Sequence, residues 1–277
     1  TYHKHANHLK CHYCGFTANP VGSCPSCGST RLNMIGFGTE KIEDELSLIF
    51  KDKIIKRLDL DTTRAKNAYE EILNDFDNGL IDILIGTQMV TKGLDFDNVY
   101  LVGILDADML LNRPDFRAYE RSYQLMSQVS GRAGRLGKQG KVIVQTGDPD
   151  HWVIQLVAEH NYQKFYENEI IERENFNYPP FYKVISLMVK HKNLNLVELA
   201  SKELATNLKE TFKERVIGPE FPIIQKIKNY YLKEIKLKIE RTAPEKKVKE
   251  KLSERLELFF QQVEFKSVKV VIDVDPL

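Results

Sequence analysis

A chain of 277 residues with 42% hydrophobic and 29% charged residues has room for about two domains and a sizeable core. Its 40 basic residues are balanced by 39 acidic ones, a formal net charge of +1, which excludes nucleic-acid attraction by global charge and leaves that task to local patches. No run of 18 or more apolar residues is present, which excludes a membrane-spanning helix, there is no signal peptide, and a start at Thr1 rather than methionine is what a fragment would show.

Residues 1–33 are rich in His and Cys and too poor in large apolar side chains to build a core. Their chemistry lies in Cys11-His-Tyr-Cys14-Gly15 and Cys24-Pro-Ser-Cys27-Gly28, a double pair whose spacing favours metal over disulfides. The form is that of zinc knuckles, in which the glycine permits the turn that brings backbone N–H groups to a thiolate. A Cys₄ zinc site would replace the missing core. His3, His5, His8 and His12 are not needed as ligands, because the cysteines already make a full set.

From Met34 strands and helices alternate. A turn at Gly36–Thr39, with Thr39 as N-cap, leads into a helix over Glu40–Phe50; a strand follows at Lys53–Leu58. Asp61-Thr-Thr63 reads as the cap of a helix over Arg64–Phe76. Next come strands at Ile81–Ile85 and Val99–Leu105, a helix over Ala118–Val129, a strand at Lys141–Gln145 and one long helix over His151–Arg173. This order predicts an α/β parallel sheet with helices on both faces.

Tyr178-Pro-Pro180 forbids helix and marks a boundary. Beyond it the pattern predicts a strand (Phe181–Lys190), a helix (Leu194–Phe212), a hairpin within Pro222–Glu240, a helix (Pro244–Val263) and a strand (Val268–Val274). That order is the α+β split-βαβ, ferredoxin-like one. The expected domains are therefore 1–33, 34–175 and 176–277. In the second hairpin strand Ile235, Leu237 and Ile239 alternate with Lys236, Lys238 and Glu240. With Tyr230 and Tyr231 close by, this basic face is either a nucleic-acid contact, led by Lys236 and Lys238, or a solvated surface.

Two phosphate-handling signatures dominate the middle of the chain. In Ile83-Leu-Ile-Gly86-Thr87-Gln88-Met-Val-Thr-Lys92-Gly93-Leu-Asp95 an apolar strand stops at a glycine and turns polar, at the strand end where open α/β sheets place ligands. Thr87, Gln88 and Lys92 offer donors to phosphate oxygens, Gly93 gives a second tight turn, and Asp95 supplies an acceptor suited to a ribose hydroxyl. In Gln128-Val-Ser-Gly-Arg132-Ala-Gly-Arg135 two guanidinium forks lie three residues apart, suited to a polyphosphate.

These two segments resemble motifs V and VI of superfamily-2 helicases, in the second of their RecA-like lobes. Gly36-Phe-Gly-Thr-Glu40, Asp59-x-Asp-Thr-Thr63, Leu105-Asp-Ala-Asp108, Asp115-Phe-Arg117, Val216-Ile-Gly-Pro219, Asp273-Val-Asp-Pro276 and both cysteine pairs extend the resemblance to the carboxyl-terminal half of the PriA (primosomal protein N′) replication-restart helicase family. The resemblance implies a cytoplasmic, nucleoid-associated, ATP-driven 3′-to-5′ DNA helicase that binds forked and single-stranded DNA and restarts replication by primosome assembly. Implied partners are the single-stranded-DNA-binding protein and helicase-loading proteins.

By motif, Arg132 and Arg135 would be arginine fingers, Gln128 would position the attacking water or phosphate, Gly93 and Asp95 would line the nucleotide side, and Thr87, Gln88 and Lys92 would grip DNA. ATP with Mg²⁺ would be bound mainly by a first lobe, since no G-x-x-x-x-G-K-[ST] loop is present, and the fragment would be inactive alone. In the family's nested zinc module each of these cysteine pairs would share a metal with an upstream pair. Here the four either gather around one zinc, the reading favoured, or stay partly disordered. Rival readings are another superfamily-2 DNA translocase and a non-catalytic DNA- or partner-binding module.

Overall fold

The computed structural model describes residues 2–3, 7–11, 13, 15–32, 38–59, 62–63, 67–87, 90, 96, 98–131, 133 and 140–276. They form two compact units, residues 33–169 and residues 1–32 with 170–277. The cysteine-bearing segment carries a small antiparallel sheet of β1 (Tyr2–His3), β2 (His8–Lys10) and β3 (Thr17–Ala18), with Leu9 opposite Ala18.

In residues 33–169 the elements run α1 (Thr39–Ile49), β4 (Ile55–Leu58), α2 (Ala68–Asp77), β5 (Ile83–Gly86), β6 (Leu101–Ile104), α3 (Ala107–Leu111), α4 (Ala118–Ser130), β7 (Lys141–Val144), α5 (Trp152–Ala158) and α6 (Tyr162–Asn175), the last crossing into the other unit. The strands pair in parallel, β4 with β5 and β6 with β7, as the alternation predicts. Among the described residues they make two separate pairs rather than one sheet. Helices α3 to α6 share a core of Leu111, Tyr123, Met126, Val153, Leu156 and Phe165, to which Ile104 and Val144 add the strand side.

Three sequence expectations change here. Thr39 is not the N-cap of α1: Gly38 holds that place, and the Thr39 hydroxyl donates instead to Asp59 Oδ2 at 2.6 Å. Thr62 and Thr63 do not cap α2; both turn back onto Asp59, and α2 starts after Asn67, at φ 74°. Asp61 and residues 64–66 lie outside the described residues. The long helix is two helices, α5 and α6, because His160 takes a left-handed φ of 53°. Its N–H donates to the Val157 carbonyl and that of Asn161 to Leu156, a Schellman closure. Gly79 and Asn177 end α2 and α6 in the same way, so α6 has stopped before the prolines.

Residues 170–277 follow with β8 (Tyr182–His191), α7 (Leu194–Phe212), β9 (Val216–Glu220), β10 (Lys226–Ile227), β11 (Tyr230–Glu240), α8 (Glu245–Gln261) and β12 (Lys269–Val274). Every pairing is antiparallel, in the order β10-β11-β8-β12 with β9 also on β11. The Asn193 side chain caps α7 by accepting from the N–H groups of Asn195 and Leu196. One face of α7, Ala200, Leu204, Leu208 and Phe212, then buries itself with Leu187, Ile235, Leu237, Phe259 and Phe265 in the larger core among the described residues.

Strand β9 is absent from the sequence expectations, and its Gly218-Pro219 pair is uncommon within a strand. The structure tolerates it as an edge strand, with Gly218 at φ 96° and a register shift on β11 between Glu234 and Lys236. A Cβ at Gly218 would stand 2.8 Å from the Glu234 carbonyl oxygen. Gly218→Ala is therefore expected to destabilise the chain by about 2–3 kcal/mol, read as a lower urea midpoint at unchanged m-value; wild-type stability would contradict this β9–β11 pairing.

Candidate functional site

The first signature begins where β5 ends. Gly86 lies opposite Leu58, and a Cβ there would collide with the Val90 side chain, so only glycine lets the chain fold back over the strand end. The Val90 N–H donates to the Thr87 carbonyl at 3.1 Å, which closes the turn and leaves Thr87 exposed. Phe96, 6% exposed, returns the loop to the core with its ring edge-on to Phe76 of α2 at 4.8 Å. Gln88, Lys92, Gly93 and Asp95 lie outside the described residues.

The second signature hangs from α4. Tyr123 and Met126 are buried and fix the helix, Tyr123 stacking on Phe165 at 4.3 Å, while Gln128 on the last turn is exposed. Gly131 closes the helix by donating to the Ser127 carbonyl at 3.0 Å. Arg132 and Arg135 follow and lie outside the described residues. At the start of α4, Asp115 accepts from the Arg117 N–H at 2.9 Å and from the Arg121 guanidinium at 2.6 Å.

Two carboxylates brace these signatures, and sequence reasoning gave neither a role. Asp59, 7% exposed, follows β4 and gathers Thr39, Arg57 and Thr62. Asp108 follows β6 and accepts from the Thr146 hydroxyl at 2.6 Å and the Gly147 N–H at 2.8 Å, joining the ends of β6 and β7. The Thr146 hydroxyl, and after it the Gly147 N–H, hold the Asp108 carboxyl below its usual range. The only signal was Leu105-Asp-Ala-Asp108 itself; its partner 38 residues away carries no local mark.

The two cysteine turns are built alike. Cys11 N–H donates to the Phe16 carbonyl and Gly15 N–H to Cys11; Cys24 N–H donates to Ser29 and Gly28 N–H to Cys24, all at 2.8 Å. Gly15 and Gly28 sit at φ 73° and 69°, the conformation for which glycine is needed. The N–H of Cys27, then that of Ser26, lower the Cys24 thiol pKa, which is the donor arrangement a metal-bound thiolate requires. The Cys24 turn thus has donors suited to one half of a metal site. Among the described residues, which omit Cys14, no three His, Cys, Asp or Glu side chains converge, so Cys11, Cys24 and Cys27 do not form a trio.

Lys236 and Lys238 both find partners within their unit. The Lys238 ammonium donates to the Phe176 carbonyl at 2.6 Å, at the end of α6, and lies 3.6 Å from the centroid of the Tyr178 ring. Burial, then the nearby Lys236 charge, push its pKa down. Lys236 pairs with Glu234 at 3.4 Å, whose other oxygen accepts from Ser186 at 2.7 Å. More open cation–aromatic contacts lie at the far end of the sheet, Lys226 on Tyr231 at 4.5 Å and Lys192 and Lys269 on Tyr230 at 5.9 and 5.5 Å.

Residues 33–137, which hold the parallel strand pair β4–β5 and the run from β6 to α4, match the helicase conserved C-terminal domain, with which this α/β arrangement is consistent. Residues 174–277 match the primosomal protein N C-terminal domain. The chain is 40% identical over 278 residues to the replication restart protein PriA of Bacillus subtilis, covering 100% of this chain and 34% of that protein. The PriA of Synechocystis sp. is 39% identical over 275 residues, 97% of this chain and 32% of its own length, and that of Thermotoga maritima 34% over 276 residues, 99% and 35%. The chain belongs to the PriA family of replication restart helicases and spans about a third of the length of these relatives.

Asp108 yields a pH test. Its folded pKa is lowered, so its link to Thr146 and Gly147 stabilises fully above the ordinary aspartate value of about 3.9 and is lost as pH falls through the lowered one. Asp108→Asn should melt several degrees below wild type at pH 7, with the gap closing toward pH 3; a gap independent of pH would show that the charge is not what binds the strand ends.

Proposed function

We propose that this chain is the second motor lobe and carboxyl-terminal domain of an ATP-dependent 3′-to-5′ DNA helicase that acts at stalled or repaired replication forks and restarts replication by primosome assembly. The observation that carries this reading is the placement of the two signatures, one on the Gly86 turn at the end of β5 and one beyond the Gly131 end of α4, inside the matched helicase domain. Its domains are taken as 1–33, 34–175 and 176–277, the last with a strand order that supports a ferredoxin-like fold.

ATP is the substrate, held mainly by a first lobe that this chain does not supply, and the magnesium bound with it would offset phosphate charge. Arg132 and Arg135 are the groups that would meet charge developing on the transferred phosphate, from a helix whose buried Tyr123 and Met126 hold it rigid. Gln128, exposed one turn earlier, would orient water. Gly93 and Asp95 would line the nucleotide side, while Thr87, Gln88 and Lys92 grip the DNA backbone and couple lobe closure to movement. Cys11, Cys14, Cys24 and Cys27 would hold zinc as thiolates, a structural and not a catalytic role. Forked and single-stranded DNA, the single-stranded-DNA-binding protein and helicase-loading proteins are the proposed partners, and the bacterial cytoplasm and nucleoid the proposed location. The intramolecular partners of Lys238 favour the open lysines near Tyr230 and Tyr231 over Lys236 and Lys238 as nucleic-acid contacts.

This chain alone should not hydrolyse ATP, whereas a full-length protein containing it should do so in response to forked DNA. Arg135→Ala in the full-length protein should lower that rate by about a thousandfold; a rate unaffected by the substitution would instead support a non-catalytic binding module. Metal analysis of the isolated chain is expected to return one zinc, lost with a chelator together with protease resistance of residues 1–33. Two tightly held zincs, or none, would overturn that expectation.

A further inference from the structure

The structure assigns Asp59 a task that neither signature contains: we propose that Asp59, held by the Thr39 hydroxyl, is a positioning residue for the Gly86–Val90 turn. The inference rests on the helicase reading above, and it concerns residues that lie outside both signatures.

Asp59 is the first residue beyond β4 and is 7% exposed. A carboxylate this buried costs stability unless its oxygens are satisfied. Oδ2 accepts from the Thr39 hydroxyl at 2.6 Å and the Arg57 guanidinium at 3.3 Å, and Oδ1 from the Thr62 N–H at 3.0 Å. Its backbone is held as well, its N–H donating to the Thr62 hydroxyl and its carbonyl accepting from the hydroxyls of Thr62 and Thr63. Arg57 reaches Glu43 at 2.6 Å as an ion pair, so α1 is attached to the end of β4 at two points a helical turn apart.

The register carries this fixing to the Gly86 turn. Leu58 pairs with Gly86 in parallel, so Asp59 and Thr87 leave the two strands side by side. The Leu58 carbonyl lies 3.1 Å from where a Cβ on Gly86 would be, and the Val90 side chain fills the remaining space above that glycine. A shift at Asp59 therefore moves the buried Leu58, the residue paired with Gly86. Packed interiors pass such shifts on rather than absorb them, and displacements of about 1 Å at a catalytic constellation cost up to a hundredfold in rate.

The test uses the full-length protein with Asp59→Asn, Thr39→Val and Thr39→Ser, measuring DNA-stimulated ATP hydrolysis and thermal midpoint together. Asp59→Asn and Thr39→Val should each lower kcat by about tenfold or more, with KM for ATP within about twofold and an unstimulated rate near wild type, and Thr39→Ser should restore kcat because it restores the hydroxyl. A lowered melting point with wild-type kcat per folded molecule, or a Thr39→Ser as impaired as Thr39→Val, would reduce Asp59 to a fold-stabilising residue and overturn the inference while leaving the helicase reading intact. A wild-type protein without DNA-stimulated hydrolysis would overturn the helicase reading itself, and this inference with it.

Discussion

Parallel strands cannot be closed by a hairpin, so their ends must be secured by something other than the chain itself. In residues 33–169 carboxylates supply that closure. Asp82 accepts the Ile54 N–H and the Lys53 ammonium, both at 2.9 Å, and ties the amino ends of β4 and β5 together. Asp108 does the same for the carboxyl ends of β6 and β7. Lys53–Asp82 is an exposed pair, and such pairs alone contribute little to stability. What it adds is register, because the same carboxylate also takes the backbone N–H of the neighbouring strand. The first signature depends on that register, since its Gly86 is paired with Leu58 across the strands.

Residues 170–277 solve the same problem differently. Their sheet is wholly antiparallel, and β8 runs ten residues between β11 and β12, so each strand fixes the next along its whole length. Side chains here do less to hold register and more to mark ends. Lys238 satisfies the carbonyl of Phe176 beyond α6, and the Asp275 carboxylate takes the Val184 N–H beyond β12. Carbonyls at helix ends lack partners within the helix, and Lys238 supplies one beyond α6.

The parts legible in the sequence were those written in local pattern. The strands and helices of both units appear at their places, usually within a few residues, because apolar periodicity survives whatever surrounds it. Three kinds of feature were not legible. The break at His160 depends on a left-handed residue that is not glycine; β9 hides behind Gly218-Pro219; and Thr39 was read as a cap because a threonine before an acidic helix start usually is one. That last misreading has a physical reason. Asp59 lies twenty residues away, and a hydroxyl prefers a buried charged acceptor to an exposed N–H. For the candidate site, residue types and spacing identified Thr87 and Gln128, but the carboxylates that hold their loops could emerge only from strand pairing.

A lobe assembled in this way is suited to respond to charge rather than to create chemistry. Thr87 and Gln128 sit at a strand end and a helix end, beside Gly86 and Gly131, while the core behind α4 is aromatic and closely packed around Tyr123, Trp152 and Phe165. Under the reading proposed above, stiff supports of this kind are what electrostatic stabilisation of a transferring phosphate asks for, because reorganisation at the moment of reaction would forfeit the gain. The same stiffness turns approach of a second lobe into displacement. On the proposed reading, a lobe whose strand ends are tied by Asp82 and Asp108 would carry Thr87 along with the end of α4 as one piece, and coupling would need no further device than those carboxylates.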